Sequence, residues 1–437
     1  MNSKEGKRMD PTSIGLIGII ALLVAIFLRM PVSFTMFIVG FGGLFLFMGK
    51  EAAFNILSAD IWGQFSSYTL AIIPLYVFMG EIIFRSGITQ NLFDAAYKWL
   101  GQYKGGMAST TILASAGFSS ICGSNTATAA TMGTIALPEL KKYKYDQAIS
   151  AGSVATGGTL GILIPPSTVL IVIAIQTQQS VQDLFAAVLL PGILLTTLMI
   201  LTVIFLCQRN PELGPAGPKF SMGEKLKALK GVIPVFVLFA FVIGGLFYGL
   251  FTPTESGAFG AFGALLITIA MKKFTWKRLV AALDSTIRST AMVLFLVVGA
   301  VVFGRFITAT RLPFAVAEFV SNLAVPSVII LIAILLIYVI GGAIMDALGF
   351  LILSIPIFFP AIIMLGYDPV WFSIILCIVT SLGGITPPVG VNAFIVQGIS
   401  KEIPITTVFK GTGYFIVTYT ILVAILILFP QLVTFAV

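Results

Sequence analysis

Two apolar stretches of the chain meet at a short polar point near residue 124. They run from Gly106 to Ile121 and from Ala127 to Ala136, with Cys122-Gly123-Ser124-Asn125-Thr126 between them. A helix needs roughly 20 residues to cross the hydrocarbon core of a bilayer, and neither stretch is that long. The pattern therefore predicts a re-entrant helical hairpin over residues 106–139, which turns at the Gly-Ser-Asn-Thr tip and leaves on the side from which it entered.

A second interruption lies in the apolar run that follows. The predicted helix of residues 147–175 contains Gly157-Gly158-Thr159-Leu160-Gly161 and then Pro165-Pro166-Ser167. Two prolines remove two backbone donors, and the glycines loosen the turn before them, so this helix should be broken. Irregular backbone at membrane depth is tolerated where it is buried in protein or lines a wet cavity, which indicates a binding site. The alternative is that these small residues only allow close helix packing.

The same arrangement occurs twice along the chain. A shift of 222 positions superimposes four pairs of prolines: Pro31 on Pro253, Pro138 on Pro360, Pro165 on Pro387 and Pro166 on Pro388. Such a period predicts an internal repeat. The second copy then has a hairpin over residues 327–361, with its tip at Met345-Asp346-Ala347, and a broken helix over residues 369–397, with its break at Gly383-Gly384-Ile385-Thr386-Pro387-Pro388.

The order of apolar segments predicts an all-α polytopic membrane protein made of two inverted-topology repeats. Residues 1–207 form the first repeat, residues 208–231 a cytoplasmic linker, and residues 232–437 the second repeat. Each repeat has three helices, a re-entrant hairpin, a broken helix and one more helix. Hairpins do not change sides, so each repeat crosses the membrane five times, and the odd number inverts the second repeat.

The distribution of basic residues supports this topology. With the linker in the cytoplasm, 19 of the 25 lysine and arginine residues lie inside. An excess of basic residues inside is what the positive-inside rule requires. The six that remain outside are Lys4, Lys7, Arg8, Lys50, Arg305 and Arg311. The basic start of the chain is discordant, because its three charges would face outward.

Composition narrows the class of protein further. Hydrophobic residues make up 58% of the chain and charged residues 10%, which is typical of a polytopic membrane protein. The chain has no histidine, so imidazole metal ligands and histidine acid–base chemistry are excluded. The net charge of +8 does not predict nucleic-acid binding, because the basic residues lie between apolar segments, where they set orientation. We therefore expect the protein to lie in a lipid bilayer.

Three polar-apolar stretches are predicted to lie along the membrane surface. They cover residues 87–104, 272–287 and 308–325, and each combines an apolar face with charged positions. They serve either as interfacial linkers or as braces between a moving core and a fixed frame. The segment Pro211–Pro218 is the predicted connection between the two repeats.

Asp346 is the strongest single candidate for chemistry inside the membrane. Acidic residues within apolar segments are costly and are therefore functional by default. Asp346 could coordinate a hard cation such as Na⁺ together with carbonyl groups freed at the second break, relay a proton, or cap the helix that follows it. Two further acids, Glu81 and Glu255, lie in apolar segments, and Glu81 could pair with Arg85 one turn later.

The predicted tips and breaks could also bind an anion. Half-helices that begin near Asn125, Ala347, Ser167 and Val389 would aim their N-terminal N–H groups toward the middle of the membrane, and such termini attract negative charge. An organic anion could then be held without a buried arginine. The candidate anion-binding side chains are Ser124, Asn125, Thr126, Ser167, Thr386 and Asn392.

These motifs resemble a known family. The run from Ser119 to Ser167, with Cys-Gly-Ser-Asn-Thr-Ala-Thr and Ile-Pro-Pro-Ser, and the run Gly-Gly-Ile-Thr-Pro-Pro-Val-Gly-Val-Asn at 383–392 are similar to the large membrane (M) subunit of tripartite ATP-independent periplasmic (TRAP) transporters, of the dicarboxylate and sialic acid type. The resemblance covers the whole chain. It implies an elevator-type ion transporter fold and a Na⁺-coupled importer of small carboxylates or sulfonates.

The resemblance further implies partners, a location and ion sites. The partners would be a small four-helix membrane subunit, encoded as a separate polypeptide, and a soluble periplasmic substrate-binding protein, in the bacterial inner membrane. No organic cofactor is implied. Sodium sites of the family lie at the tips and breaks, which here makes the candidate ligands Ser120, Asn125, Gly158, Thr159, Gly161, Gly342, Asp346, Gly383 and Thr386.

Three other classes compete with this interpretation. A stand-alone divalent-anion:Na⁺ symporter has similar hairpin motifs, but here only the first tip carries Ser-Asn-Thr. An intramembrane enzyme has little support, because Asp346 has no second acid at its own tip to form a dyad. A passive channel is disfavoured, because paired inverted hairpins are a device of alternating access.

Overall fold

The computed structural model describes residues 10–435, and within them the regular secondary structure is entirely helical. Lys4, Lys7 and Arg8, the basic residues at odds with the predicted topology, lie outside the described residues. The helices of the predicted first repeat and linker are α1 Pro11–Phe27, α2 Val32–Met48, α3 Lys50–Phe65, α4 Ile72–Arg85, α5 Ile88–Leu100, α6 Gly106–Cys122, α7 Asn125–Lys142, α8 Gln147–Gly158, α9 Thr168–Thr177, α10 Val181–Arg209 and α11 Met222–Leu229. Those of the second are α12 Ile233–Phe247, α13 Pro253–Ala270, α14 Trp276–Ala309, α15 Leu312–Ser321, α16 Ser327–Ile344, α17 Ala347–Met364, α18 Pro369–Gly383, α19 Val391–Ile399, α20 Ile405–Leu428 and α21 Gln431–Thr434.

Helix boundaries recur at the period that the prolines indicated. α7 begins at Asn125 and α17 at Ala347, and α8 begins at Gln147 and α18 at Pro369. Each pair of starts is 222 positions apart. The peptide bonds Pro165–Pro166 and Pro387–Pro388 are both cis. The division into two inverted repeats stays a prediction, while the helices that follow the two tips, α7 and α17, begin where the sequence placed them.

Six described helices are individually long and apolar enough to cross a membrane: Tyr68–Arg85 (a 3₁₀ turn continuing into α4), α10, α14, α16, α17 and α20. A seventh span results if α11 and α12, which meet at an angle of 53°, count as one. Five further apolar helices are shorter, at 10–17 residues. They include α9, which follows the first predicted break, and α18, which precedes the second. An all-α, multi-span fold is therefore confirmed for the described residues.

Contacts between residues divide the chain into two compact units. Unit 1 contains Met1–Leu70, Ala291–Ile334 and Leu348–Pro369, and unit 2 contains Ala71–Thr290, Leu335–Ala347 and Val370–Val437. Each unit gathers segments of both predicted repeats.

Close packing in unit 1 depends on glycines of α2 that face α14. A β-carbon added at Gly40 would lie 2.7 Å from the backbone of Phe303, so only glycine allows this approach. The ring of Phe306 fills the space left by Gly43 on α2 and by Gly18 on α1. The apolar faces of α1, α2 and α14 thus meet at backbone distance, as is typical of helices packed in a membrane.

Unit 2 is organised around α8, the first half of the predicted broken helix. Every residue from Ala148 to Gly158 is buried. Gly152 packs against Gly411 of α20, where a β-carbon would lie 2.6 Å from the carbonyl oxygen of Gly411. On its other sides α8 contacts α6 and α7, since added β-carbons at Gly157 and Gly158 would lie 2.6 Å from Ser115 and Ala129 respectively. The fold therefore places the first break at the centre of its unit.

The surface segments differ in part from the prediction. α5 and α15 are separate short helices within the first and third predicted stretches. The second prediction, residues 272–287, is wrong as a separate element, because Trp276–Ala309 is one continuous helix of 34 residues. No proline and no glycine interrupts it before Gly299, and its alanine and leucine residues favour continuation. α3 was not predicted, because Lys50, Glu51 and Asp60 interrupt its apolar residues.

Candidate functional site

The first tip is a sharp turn between α6 and α7. Gly123 ends α6 in the left-handed conformation, with φ of 62°, which glycine adopts without strain. Ser124 caps α7, because its side chain accepts a hydrogen bond from the N–H of Ala127 at 3.5 Å. The hydroxyls of Ser124 and Thr126 lie 3.2 Å apart. Ser124, Asn125 and Thr126 are all half-buried, so the tip is accessible to a small ligand.

The first break lies directly against this tip. Gly161 belongs to the 3₁₀ turn Thr159–Ile162 that follows α8. A β-carbon on Gly161 would collide with the carbonyl group of Ser124 and lie 2.7 Å from the amide nitrogen of Asn125. The hydroxyl of Thr168, at the start of α9, donates to the carbonyl oxygen of Gly123 at 3.1 Å. The structure thus brings the predicted residues Ser124, Asn125 and Gly161 together.

The second tip and break within unit 2 approach each other in a similar way. A β-carbon added at Gly383 would lie 2.5 Å from the carbonyl carbon of Gly342. The carbonyl oxygen of Ala343 accepts hydrogen bonds from the N–H groups of Val389 and Gly390, each at 3.1 Å. Gly390, with φ of 56°, precedes the first residue of α19, so that half-helix starts two residues later than predicted. Gly342 and Gly383, both predicted ion ligands, therefore lie together.

Side chains satisfy carbonyl groups that the breaks leave without helical partners. The amide of Asn392 donates to the carbonyl oxygen of Ala155 in α8 at 3.2 Å, and Asn392 is only 2% exposed. The hydroxyl of Thr412 in α20 donates to the carbonyl oxygen of Ile385 at 2.9 Å. Asn392, predicted as an anion ligand, therefore links the helix after the second break to the helix before the first.

Thr159 is held by a partner that sequence analysis missed. Its hydroxyl lies 2.5 Å from the carbonyl oxygen of Thr156 and 2.5 Å from the phenolic oxygen of Tyr419. No sequence motif marks Tyr419, because it lies in an apolar helix 260 residues away. A tyrosine between two threonines, Thr418 and Thr420, in an apolar helix was the available sequence signal.

The other predicted ligands make local contacts. The hydroxyl of Ser120 donates to Gly117 and that of Thr386 to Leu382, each within its own helical turn. Ser167 caps α9 by accepting from the N–H of Leu170 and is fully buried. Asp346 follows Met345 at the second tip and is exposed.

The other acids predicted inside the membrane have structural partners. Glu81 pairs with Arg85 at 3.0 Å, as the spacing indicated. Glu255 instead caps α13, where its carboxylate accepts hydrogen bonds from the N–H and hydroxyl of Thr252.

Several buried oxygen atoms on α6, α7 and α8 have no hydrogen-bond partner among the described residues. They are Ser119 Oγ, Asn125 Oδ1, Thr128 Oγ1, Ser153 Oγ and Thr156 Oγ1. A buried polar atom without a partner is costly, which is a reason to look for a ligand. Hydroxyl, amide and carbonyl oxygens suit hard cations. The donor set on α6, α7 and α8 therefore fits a hard cation such as Na⁺.

Groups of three or more histidine, cysteine, aspartate or glutamate residues that could hold a metal are absent from residues 10–435. Asp346 is the one carboxylate among the predicted ion ligands.

Comparison with known proteins identifies the same family that the motifs resemble. A family model described as "Tripartite ATP-independent periplasmic transporter, DctM component" matches residues 19–432. The C4-dicarboxylate TRAP transporter large permease protein DctM of Pseudomonas aeruginosa is 32% identical over 360 residues, 82% of this chain and 84% of that protein. The sialic acid TRAP transporter large permease protein SiaM of Vibrio cholerae is 28% identical over 93% of this chain and 94% of its own length.

Two solved structures share the fold at low sequence identity. The YdaH transporter of Alcanivorax borkumensis aligns with a TM-score of 0.61 at 15% identity, over 87% of this chain and 89% of that one. MtrF of Neisseria gonorrhoeae, described within a class of antimetabolite efflux pumps, aligns with a TM-score of 0.62 at 15% identity, over 96% and 95%. The chain therefore has the fold of membrane transporters.

Proposed function

The chain belongs to the DctM-component family of tripartite ATP-independent periplasmic transporters, and on that premise we propose that it is a Na⁺-coupled importer of a small organic anion. The resemblance inferred from its motifs is confirmed, and the family is one of multi-pass bacterial transporters. The proposed cargo is a carboxylate or sulfonate of the C4-dicarboxylate or sialic acid class, because relatives matched over more than four fifths of the chain are named for these anions.

The observation that carries the ion coupling is the contact between Gly161 and the first tip. Gly161 has no side chain, so the backbone of the break reaches the carbonyl group of Ser124 and the amide of Asn125. Buried oxygens without partners, among them Asn125 Oδ1, lie on the helices around this contact. A bound Na⁺ would supply positive charge near the tips, and the half-helix ends add N–H groups for the carboxylate of the cargo.

Some residues of the chain would bind the anion, and others would position the helices around it. Ser124, Thr126 and Ser167 offer hydroxyl groups for an anion at the first site. Asn392 positions α19 against α8 through its bond to Ala155. Unit 2 contains both breaks and the first hairpin, so it is the proposed carrier in an elevator motion.

Membership of the family supports a proposal for the partners and the location. The proposed partners are a small four-helix membrane subunit and a periplasmic binding protein that delivers the anion, and the proposed location is the bacterial inner membrane. Specificity for one anion would then reside largely in the binding protein.

Uptake into proteoliposomes tests the proposal. Vesicles that hold this chain and its small subunit receive a labelled C4-dicarboxylate or sialic acid, with the binding protein present or omitted and the Na⁺ gradient imposed or abolished. Uptake that needs both supports the proposal. Uptake without the binding protein would instead establish a stand-alone divalent-anion:Na⁺ symporter.

The variant Asp346→Ala separates ion binding from docking. We expect it to weaken Na⁺ activation more than it weakens docking of the binding protein. Asp94→Ala, which removes an exposed acid on α5, is the matched control. Unchanged Na⁺ activation in Asp346→Ala would remove that residue from the site.

A further inference from the structure

The segment between the two predicted repeats is docked on unit 2 by hydrogen bonds. The N–H of Gly105 donates to the carbonyl oxygen of Gly214 at 2.9 Å, and the N–H of Gly217 donates to Gly101 at 2.8 Å. The phenolic hydroxyl of Tyr145 donates to the carbonyl oxygen of Pro215 at 2.8 Å. These bonds hold residues 213–217 against the two ends of the α6–α7 hairpin, so the helix that follows has a defined place.

That helix, α11, lies against α5. The ammonium group of Lys225 lies 5.8 Å from the ring centroid of Trp99, at the distance of a cation–π contact. The side-chain amide of Asn91 in α5 donates to the carbonyl oxygen of Gly231 at 3.4 Å. Because α11 turns by 53° from α12, it does not continue that apolar helix.

Together α5 and α11 form a surface that is both basic and apolar, here named the α5–α11 face. Its exposed apolar side chains include Met222 and Leu226, which are 62% and 55% exposed and lie one turn apart. Its lysines lie on α11 and in the loops that adjoin the two helices. The α5–α11 face consists of Trp99, Tyr103, Lys104, Lys219, Met222, Lys225, Leu226, Lys227 and Lys230.

The lysines of this face have few acids to neutralise them. None of them makes an ion pair within 4 Å in the part of the chain that the structure describes. Glu224, the acid on α11, is held by the N–H and hydroxyl of Ser221 at 2.8 Å in a capping box. Asp94 is the exposed acid of α5, and it accepts from Gln90 at 3.4 Å. The face therefore carries a net positive charge.

We propose that the α5–α11 face binds the headgroup of an anionic phospholipid. A basic amphipathic helix next to a membrane span attracts anionic lipid, and each nearby lysine contributes separately. Met222 and Leu226 would enter the acyl boundary, while Trp99 and Tyr103 suit headgroup depth. The lysines at 219, 227 and 230 would contact the phosphate. The docked segment holds both helices ready for this contact, so little ordering is required on binding.

A fluorescence titration tests the proposal at the site itself. The full-length chain with Trp99 as its sole tryptophan (Trp62→Phe/Trp276→Phe/Trp371→Phe) is titrated in neutral detergent with brominated phosphatidylglycerol or brominated phosphatidylcholine. We expect quenching at lower concentrations of phosphatidylglycerol, and weaker quenching at high salt. Equal quenching by both lipids would overturn the proposal. If the triple replacement does not fold, the difference in quenching between the natural chain and Trp99→Phe gives the same measurement.

Matched variants separate this face from general charge. Lys219→Gln/Lys227→Gln/Lys230→Gln should raise the half-quenching concentration of phosphatidylglycerol at least roughly tenfold. The control Lys141→Gln/Lys142→Gln/Lys401→Gln removes the same charge away from this face. Because Lys141 and Lys142 are paired with Glu402 and Glu139, it should shift the half-quenching concentration less than about twofold. An unchanged titration in the first variant, including one accompanied by loss of the small subunit on purification, would assign the face to a protein partner and overturn the proposal.

Discussion

The phenolic oxygen of Tyr419 lies 2.5 Å from Oγ1 of Thr159, and both side chains are fully buried. The Thr159 hydroxyl donates to the carbonyl oxygen of Thr156, so Tyr419 is the donor toward Thr159. One hydrogen bond thus joins the last long helix to the first break, 260 residues away. The first break is therefore bonded to a residue outside every motif.

Tyr419→Phe should loosen this connection. We expect a loss of about 1 kcal/mol in the free energy of unfolding, the net value of one buried hydrogen bond. We also expect a severalfold rise in the Na⁺ concentration for half-maximal stabilisation, measured by thermal unfolding across a Na⁺ series. Tyr414→Phe, on the same helix but half-buried, is the control. Equal Na⁺ responses in the two variants would contradict a role for Thr159 near the ion.

Thr156→Val tests whether an unpartnered hydroxyl serves a ligand. Thr156 Oγ1 is buried without a hydrogen-bond partner in the described chain. In the absence of Na⁺ the variant should be as stable as the natural protein or up to about 1 kcal/mol more stable, because an unsatisfied group is removed. The stabilisation by added Na⁺ should shrink.

Thr110→Val is the control for that substitution, because its hydroxyl bonds to Gly106 within the same helix at 2.7 Å. It should leave the Na⁺ increment unchanged. A full Na⁺ increment in Thr156→Val would show that the hydroxyl binds no ion.

Gly161→Ala should displace the first tip. The new methyl group would collide with the carbonyl group of Ser124, and overpacking of this kind costs about 1–3 kcal/mol. We expect a large loss of Na⁺-dependent uptake with the chain still in the membrane. Gly413→Ala on α20 meets nothing within 4 Å and should transport normally. Normal uptake in Gly161→Ala would contradict the close approach of break and tip.

Arg305→Gln should destabilise unit 1. The guanidinium of Arg305 donates from Nε and Nη2 to the carboxylate of Asp60 at 3.1–3.2 Å, and Asp60 is 8% exposed. Loss of the cation leaves a buried carboxylate without its partner. We expect a cost of about 1–3 kcal/mol, below that of a fully buried pair because Arg305 is largely exposed. Thermal unfolding in detergent measures it.

The double variant Asp60→Asn/Arg305→Gln serves as the check on that pair. It should recover much of the stability, because it removes the stranded charge. Arg305→Lys should be intermediate, since lysine cannot reproduce the two-nitrogen contact. Equal losses in the single and double variants would show that the charge is not the cause.

Tyr145→Phe should release the segment around Pro215. The phenolic oxygen accepts from the N–H of Met107 at 3.1 Å and donates to Pro215, and the variant loses both bonds. Trypsin should then cleave after Lys219 faster than in the natural protein. Unchanged cleavage would mean that the backbone bonds of Gly105 and Gly217 suffice.

The same tyrosine predicts a response to alkaline pH. Burial raises the pKa of Tyr145 from 10.0 to about 12, because the charged phenolate is poorly solvated there. A raised pKa means that the stabilisation is complete below pH 10 and is lost as the pH rises toward 12. Between pH 9 and 11 the unfolding temperature of the natural protein should fall more steeply than that of Tyr145→Phe. Parallel profiles would contradict this assignment.

Much of the architecture could be predicted from local patterns. The Gly-Ser-Asn-Thr tip and the Pro165-Pro166 pair marked helix ends, because glycine and proline act on the backbone where they stand. Glu81 and Arg85 were paired correctly, since four residues is one helical turn. The separate helix at 272–287 was wrong, because charge and amphipathic pattern do not end a helix.

By itself, the sequence determined the family, the helix starts at Asn125 and Ala347, and the opposition of each tip to its break. These depend on residues close in the chain, on hydrophobicity and on a repeat of 222 positions. Only the tertiary structure decided which side chains meet: Tyr419 with Thr159, Asn392 with Ala155, Arg305 with Asp60. Such contacts join residues hundreds of positions apart in helices of similar apolar composition. Their pairing depends on which helices pack together, and helices of similar composition do not reveal this from their sequence.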